Sequence, residues 1–427
     1  MTGKIISWSL KNRFLVVLVA TALFLWGLNS MRHSRVDAIP DLSENQVIVF
    51  TEWNGRGPQV IEDQITYPLV TNLQSLPRVK YVRANSMFGM SFIYVIFEDD
   101  ADVYEARTRV LERLNYASRL LPEGVAPTLG PDGTGVGHIL WYTLEAPGMD
   151  LGELRALQDW YVKFGLQDVE GVSEVASFGG FQKQYEVTVD PNKLNAFRLG
   201  FGDVLQTLQE NNNETGGRKF EMGGAGYIVK TTGYLGKAEE IEQLALKSEG
   251  NSVVRIKDVG VVQTTGESRT GIFDLNGEGE AVGGIVVMRY GANATEVIEK
   301  VRGKMMSVAR GFPAGVKFNV VYDRSELVQE AITSVRNTLL EEMLVVGMVV
   351  IFFLFNWRGA LSILIQIPVT VATSFVLLNA FGIESNIMSL TGIALAIGVI
   401  ADNGIIMAEN AHKHLSERHQ QLNPSSF

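Results

Sequence analysis

The run LAIGVIADNGIIMAEN, residues 395–410, places an aspartate in a stretch that otherwise has the composition of a lipid-soluble helix. An ionisable side chain at the centre of a bilayer costs about 2.5–3.5 kcal/mol on insertion scales, and those found there usually serve ion or proton pathways. Met388, Leu395, Asp402 and Glu409 follow one another at intervals of seven residues. A seven-residue step drifts only about 20° on an α-helix, so these side chains share one face. The pattern indicates a proton or ion pathway through Asp402.

Small residues crowd the same segment: Gly392, Ala394, Ala396, Gly398 and Ala401. Small side chains let the backbone of a second helix approach closely. We therefore expect the partly polar stripe to face the interior of a helical bundle. Two plainer interpretations remain open, namely Glu409 as a solvated side chain at the cytoplasmic interface and Met388 as an ordinary packing residue.

Four apolar segments have the length of membrane spans, which need about 20 mostly apolar residues. We expect these spans at residues 14–31, 337–357, 360–381 and 387–410. The first segment has the basic flank of a signal peptide, but it lacks a small-residue cleavage site, and the three later spans favour an anchor.

The basic residues near the N-terminus predict the orientation of the spans. Lys4, Lys11 and Arg13 place the segment 1–13 on the cytoplasmic side. Four spans then return the tail of residues 411–427 to that side. The region between the first two spans is one large external domain, which is periplasmic if the host is Gram-negative.

The first part of the external domain reads as β-α-β-β-α, in the segments NQVIVFTEW, PQVIEDQITYPLVTNLQSL, VKYVRANS, SFIYVIFE and VYEARTRVLERLNYASRLL. This order is most of a ferredoxin-like split βαβ unit. A strand, a helix and two strands recur in HILWYTLE, LGELRALQDWYVKFGLQ, VSEVASFG and QYEVTVD. Arg78–Val82 and Gly171–Val175 occupy matching places, which indicates an internal duplication. The predicted fold class is an α-helical membrane bundle of four spans plus an α+β external domain of two ferredoxin-like subdomains.

The boundaries of the two subdomains depend on one late strand, VKFNVVYDRS, which could close the first unit and make the second an insertion. Subdomain 1 would then comprise residues 32–135 and 314–336, and subdomain 2 residues 136–313. A hairpin arm is expected at about 213–236, turning at Gly223–Gly226. The sequence leaves open whether this arm folds back locally or docks on another subunit.

Composition and motifs exclude several classes of function. The net charge of −10 over 427 residues argues against a nucleic-acid binder, which usually needs a basic face. Without cysteine there are no disulfides or thiolate metal sites. No phosphate-binding G-x-x-x-x-G-K-[ST] motif supports ATP hydrolysis. The terminal HKHLSERH is more simply a solvated helix end than a metal site. We expect no enzyme activity and no bound cofactor.

Several motifs along almost the whole chain resemble one transporter superfamily. NIMSLTGIALAIGVIADNGIIMAENAHKHL looks like the fourth transmembrane helix of resistance-nodulation-division (RND) transporters. The stretches VDAIPDLSENQVIV, QDWYVKFGLQDVEGVSEVASFGG, DLNGEGEAVGG and VYDRS agree with it in order and spacing. The chain is most similar to the heavy-metal efflux branch and, within that branch, to the copper/silver type.

This resemblance implies a proton-driven antiporter in the bacterial inner membrane, with Asp402 as the proton-relay carboxylate and Glu409 further along its stripe. Ala396 stands where the zinc/cobalt branch carries another aspartate, which favours a monovalent cargo. Met388 and Met407 match methionines thought to pass Cu(I) or Ag(I) inward, and thioethers are soft ligands that select Cu(I). The resemblance also implies a homotrimer in which subdomain 1 is pore-like, joined to a periplasmic adaptor (membrane fusion) protein and an outer-membrane channel.

The chain also departs from the family pattern. Ile400 and Ser268 stand where copper pumps can carry methionine, and Asn403–Gly404 replaces a small apolar pair. Family members have a second half, which contains the intramembrane lysine and a three-methionine site. We therefore expect a fragment, a truncated product or a half that needs a partner. Two alternatives remain: an exporter of hydrophobic compounds, and a transport-inactive half that serves as an assembly or binding module.

Overall fold

The N-terminal part of the chain forms two consecutive helices. The computed structural model describes residues 2–34, 36–37, 39–223, 225–231, 233–250, 252–269, 271–354 and 357–422. Helix α1 spans Thr2–Lys11 and helix α2 spans Arg13–His33. Two basic residues occupy the last turn of α2, where positive charge interacts favourably with the carbonyl end of the helix.

The first external unit is a four-stranded antiparallel sheet covered by helices. Its elements in chain order are β1 (Gln46–Glu52), α3 (Pro58–Ile61), a π-helical turn (Glu62–Thr66), α4 (Tyr67–Leu73), β2 (Val79–Met87), β3 (Met90–Phe97), α5 (Val103–Ala117), a 3₁₀ turn (Ser118–Leu120) and β4 (Thr128–Leu129). The strand order is β2-β3-β1-β4. This is the arrangement of a ferredoxin-like split βαβ unit, as predicted.

The second unit begins in the same way and is then interrupted. Its first elements are β5 (His138–Glu145), α6 (Leu151–Leu157), a π-helical turn (Gln158–Val162), α7 (Lys163–Gln167) and β6 (Val172–Gly179). An inserted segment follows, with β7 (Lys183–Val189), α8 (Pro191–Ala196), α9 (Phe201–Asn211), β8 (Thr215–Met222), β9 (Ala225–Thr231), α10 (Ala238–Glu242), β10 (Ala245–Glu249), β11 (Ser252–Arg255), α11 (Ile256–Val259) and β12 (Gly260–Gly266). The insertion forms three two-stranded ladders, β7–β12, β8–β9 and β10–β11.

The chain then returns to complete the second unit with β13 (Val282–Met288), α12 (Ala294–Ala309) and β14 (Lys317–Asp323). The order β14-β5-β13-β6 repeats the arrangement of the first unit. Every residue of β13 is buried, as expected for a central strand that is covered by a helix and paired on both edges.

The structure corrects two assignments made from the sequence. β14, expected to close subdomain 1 within residues 314–336, instead pairs with β5 of the second unit. Its Phe318 packs edge-on against Tyr142, with ring centroids 5.2 Å apart. QYEVTVD, expected as the third strand of the second unit, is β7 and pairs with β12. Since all these segments have strand composition, composition alone did not identify their partners.

Two local irregularities recur at matching places in both units and support the predicted duplication. The first helix of each unit contains a π-helical turn, Glu62–Thr66 in one and Gln158–Val162 in the other. The residue before the second strand has a left-handed backbone in both, with φ of 63° at Arg78 and 89° at Gly171. The predicted hairpin arm is also present, since Met222 pairs with Ala225 across the turn between β8 and β9.

Three long helices complete the chain: α13 (Arg324–Leu354), α14 (Trp357–Ala380) and α15 (Ile387–Leu422). α14 packs against α2, α13 and α15, and α13 also packs against α15. α13 follows β14 without a loop, so the second external unit continues directly into the helical bundle. Residues 423–427 of the expected tail lie outside the described residues.

Within the described residues, two helices are long and apolar enough to cross a membrane. Arg13–His33 has a mean hydropathy of 2.0 and Ile387–Ala411 has 1.8, while Leu364–Ala380 is a shorter apolar helix. These regions coincide with the first, fourth and third expected spans. The topology of four spans stays a prediction.

We predict that Gly27→Ala destabilises the bundle, whereas Gly392→Ala does not. A Cβ at Gly27 would lie 2.3 Å from the Ala372 carbonyl oxygen, while a Cβ at Gly392 meets nothing within 4 Å. Forcing extra atoms into a packed contact typically costs about 1–3 kcal/mol, whereas alanine in an open helix position gains up to about 1 kcal/mol over glycine. Unfolding of the two variants in detergent measures the difference. Equal stability of both would contradict the close α2–α14 contact.

Candidate functional site

Helix α15, which carries the predicted site, begins with reciprocal capping. The backbone N–H of Ser389 donates to Asn386 Oδ1 at 3.0 Å, and the backbone N–H of Asn386 donates to Ser389 Oγ at 2.9 Å. Such pairing satisfies backbone donors at a helix N-terminus, which otherwise lack partners. These contacts fix the start of α15.

One side of α15 packs on the rest of the bundle. Leu390, Ile397 and Gly404 recur every seven residues and are buried. Ile397 forms a small core with Ile367 of α14, flanked by Met343 and other apolar residues. This packed row is more apolar than the row that contains Leu395 and Asp402.

Met388, Leu395, Asp402 and Glu409 lie on the other side of α15, while Met407 is about 140° from Asp402 around the helix. Met388 and Leu395 are each 72% exposed and Met407 is 61% exposed, and Asp402 and Glu409 are exposed as well. Leu395 and Ile397 are two residues apart, which places their rows about 200° from each other around the helix. The polar stripe is the side of α15 that the described residues leave uncovered, so its expected place in the interior of a bundle stays a prediction.

Two glycines of this helix share that open side. A Cβ built at Gly392 or at Gly398 meets no atom within 4 Å. The described residues thus leave uncovered both the carboxylate and the surface predicted to admit a close helix. We call this surface the Asp402 face, comprising Met388, Gly392, Leu395, Gly398, Asp402 and Glu409.

The two candidate metal ligands cannot hold one ion together. Met388 and Met407 are 19 positions apart in the sequence, which corresponds to about 28 Å along an α-helix. Each methionine would therefore have to bind the ion at a separate site. Among the described residues, no three His, Cys, Asp or Glu side chains lie close enough to hold a metal ion. In the terminal HKHLSERH segment, His414 lies 3.4 Å from Glu417, as for a solvated helix end.

A buried arginine ties α13 to the external domain, and no sequence pattern pointed to its role. Arg324, in the VYDRS motif, is only 1% exposed. Its Nε donates to Asp37 Oδ1 at 2.8 Å, Nη1 donates to the Val136 carbonyl and Nη2 donates to the Ile39 carbonyl. One side chain thus joins the segment after α2, the linker between the units and the first turn of α13.

The same segment holds the external end of α15. Ser385, just before α15, is buried and forms a parallel bridge with Val36. Its carbonyl accepts from the Asp37 backbone N–H at 2.9 Å, and its hydroxyl lies 2.6 Å from that of Ser34. Arg324, Asp37 and Ser385 therefore form a continuous junction between α15 and the external domain, which we call the Arg324 junction.

A second charged pair extends this junction into the second unit. Asp323, at the end of β14, accepts from Arg302 Nε of α12 at 2.8 Å, and its side chain is 2% exposed. The other carboxylate oxygen accepts from the Ser325 backbone N–H at 2.8 Å, within the first turn of α13. α12, β14 and α13 are thereby held in one geometry.

The two external units also meet through polar contacts around Asp132. Ser173 Oγ donates to Asp132 Oδ1 at 2.5 Å, and the Tyr104 hydroxyl donates to Oδ2 at 3.3 Å. Burial, followed by the negative charge of Asp132, raises the pKa of Tyr104. Tyr104 is therefore neutral and acts as a hydrogen-bond donor at neutral pH.

A model of the AcrB/AcrD/AcrF family matches residues 5–426. The chain belongs to this family. It is a member of the RND superfamily and, as the resemblance implied, is related to the heavy-metal efflux branch, matching the N-terminal part of these pumps.

Curated relatives of this RND chain are described as cation efflux proteins. It is 45% identical to "Putative cation efflux system protein SilA" of Salmonella typhimurium and 44% identical to "Cation efflux system protein CusA" of Escherichia coli K12, over 97% and 98% of this chain. It is 36% identical to "Cobalt-zinc-cadmium resistance protein CzcA" of Cupriavidus metallidurans over 97% of its length. The chain spans 40% of the length of each of these relatives.

Solved structures agree with this family assignment. The fold matches a crystal structure of a heavy metal efflux pump with a TM-score of 0.82 and 31% identity, over 93% of this chain and 40% of that one. A second crystal form gives a TM-score of 0.81. The RND architecture is therefore shared over nearly the whole chain.

One buried carboxylate of this RND chain was not among the residues predicted from the sequence. Glu342, in α13, has its Oε2 buried with no hydrogen-bond partner among the described residues. Burying a polar group without a partner costs about 1–3 kcal/mol. Two adjacent glutamates near the start of an expected span were the available signal.

We predict that Arg324→Leu destabilises the chain by about 3–5 kcal/mol, because it removes a buried charge whose hydrogen bonds join three segments of the chain. The matched control is Arg109→Leu, since Arg109 is half exposed and pairs with Glu105 and Glu112 on the surface of α5. Surface pairs contribute only about 0–1 kcal/mol. Unfolding in detergent measures both changes. Equal losses would show that the Arg324 junction does not hold the structure together.

Proposed function

We propose that this chain is the N-terminal portion of a proton-driven Cu(I)/Ag(I) efflux transporter of the RND type, acting in a bacterial inner membrane. The observation that carries the proposal is Asp402 on the open face of an apolar helix, in a chain matching two fifths of each cation efflux relative. An intramembrane carboxylate usually lies on an ion or proton path.

Asp402 would bind and release the proton that drives transport. None of the four expected spans contains a lysine or arginine, so a cationic partner for Asp402 has to come from elsewhere. A second transporter half, packed on the Asp402 face, would supply that partner and exclude lipid from the carboxylate. Glu409, one step nearer the cytoplasm on the same face, would exchange protons with the aqueous phase.

Methionines would guide the metal cargo across the same helix. Met388 and Met407 lie near the two ends of the expected span, so each would hold the ion in turn. Thioethers are soft ligands suited to Cu(I) and, by the same softness, to Ag(I). Position 396, where the zinc/cobalt branch carries a further aspartate, is an alanine, which supports a monovalent cargo over Zn²⁺ or Co²⁺.

The assembly would be a homotrimer joined to a periplasmic adaptor protein and an outer-membrane channel. The β8–β9 hairpin supports subunit contacts, because its two strands pair only with each other among the described residues. An arm of this kind has edges that are available to a neighbouring chain.

We predict that Asp402→Asn abolishes metal-coupled proton movement. The test uses a longer polypeptide in which this chain is followed by a second half, reconstituted in vesicles with a pH-sensitive dye. Removing a group that transfers protons should slow Cu(I)- or Ag(I)-driven proton flux by about a hundredfold or more. Asp63→Asn, an exposed external residue, is the control and should leave the flux unchanged. Normal flux through the Asp402→Asn protein would contradict the proton-relay role.

Export of hydrophobic compounds is the second candidate, and one observation favours it. An apolar cleft of about 460 Å³ lies among α2, α13, α14 and α15. Its walls include Phe24, Met31, Leu340 and Phe375. In the same vesicles, proton flux driven by a hydrophobic dye but not by metal would favour this candidate. No flux with any substrate would favour a transport-inactive half that acts only in assembly or binding.

A further inference from the structure

The tip of the β2–β3 hairpin brings two methionines together. Met87 and Met90 are register partners across the two-residue turn Phe88–Gly89. Gly89 has a φ of 74°, which favours glycine. The turn is held in place, because the Gly89 N–H donates to the Arg56 carbonyl and its own carbonyl accepts from the Trp53 N–H, both at 2.8 Å. The two methionines therefore stand on a fixed support.

A carboxylate extends the pair into a row across three strands. Glu52 of β1 is the register partner of Met90. The next residue of β3, Ser91, is fully buried on the core side of the sheet. Side chains alternate between the two faces of a strand, so Glu52, Met90 and Met87 stand on the outer face. Opposed side chains in such a row have Cβ atoms about 4.5–5.5 Å apart.

The row is accessible from solvent and has no cation already bound to it in the described residues. Met87 is 39% exposed, Met90 is partly buried and Glu52 is exposed. Arg83 lies on the same face of β2, but it pairs with Glu44 at 2.6 Å. The negative charge of Glu52 is thus available beside two uncharged sulfur atoms.

We propose that Glu52, Met87 and Met90 form a binding site for a soft monovalent cation, Cu(I) or Ag(I), on the outer face of the first external unit. Two thioethers select soft metals, whereas Mg²⁺ and Ca²⁺ prefer oxygen ligands. Neutral thioethers bind without releasing protons, and Glu52 balances the charge of the ion. A role for this site as the first binding site for transported metal rests on the proposed function. The binding of the ion to the site does not depend on that function.

The test follows Ag(I) binding by the methionine methyl groups of the full chain in detergent. The protein carries [methyl-¹³C]methionine, and Met87→Leu and Met90→Leu identify their own signals. Leucine conserves the volume of methionine, so the fold should persist. We expect both signals to move together at the first equivalent of silver nitrate in chloride-free buffer. Either leucine variant should weaken silver binding by about tenfold or more, because the second ligand binds at high effective concentration.

Met306 provides the matched control. Met306 is 67% exposed on α12, whereas the adjacent Met305 is buried, and Met306→Leu should leave the first silver-binding event unchanged. Glu52→Gln should weaken binding less than either leucine variant does. The proposal is overturned if the Met87 and Met90 signals move only at the silver concentration that moves Met306, or if each moves independently of the other.

The failure of this site and of the proposed function would give different results. Coupled silver shifts at Met87 and Met90, combined with no metal transport by the longer polypeptide, would overturn the proposed function and support the site. Transport with unmoved methyl signals would overturn the site alone. Coupled shifts together with transport that falls in the Met87→Leu protein would support both.

Discussion

The cost of placing the Asp402 carboxylate in a hydrocarbon phase is the constraint on which the rest of the structure depends. Insertion scales put this cost at about 2.5–3.5 kcal/mol, and solvent or a partner must offset it. The described chain supplies no partner, because α15 packs through Leu390 and Ile397 and leaves the Asp402 face open. The expected spans also contain no lysine or arginine. In the proposed transporter the compensating charge reaches Asp402 from another helix, and the open positions Gly392 and Gly398 leave room for that helix.

The Arg324 junction gives this face a physical connection to the external domain. α15 begins at Ser385–Asn386, whose hydrogen bonds lead to Asp37 and from there to Arg324. Buried, multiply hydrogen-bonded charges keep one geometry, since each alternative leaves a charge without a partner. Hydrogen bonds therefore connect the start of α15 with α13 and with the linker between the units. This arrangement suits a transporter in which a membrane proton site drives an external domain.

The local patterns of this chain were predictable from its sequence, whereas the partners of several segments were not. Strand composition identified β1, β3 and β5, and the seven-residue spacing put Asp402 and Met388 on one exposed face. The partner of β14 depends on the long-range packing of Phe318 on Tyr142, which leaves no local signature. The burial of Arg324 could not be predicted either, because its partners are up to 287 residues away in sequence. The Glu52–Met90–Met87 row could not be predicted, because it depends on the register of three strands.

A spin label at Leu395, the residue one seven-residue step from Asp402, tests the central claim most directly. The chain has no cysteine, so Leu395→Cys gives a single labelling site. In bilayers, the chain alone should leave the label accessible to dissolved oxygen and inaccessible to a water-soluble nickel complex. Adding a second transporter half should protect the label from both reagents. Strong accessibility to the nickel complex, equal to that of a label at exposed Glu239, would place the Asp402 face in water and contradict the account.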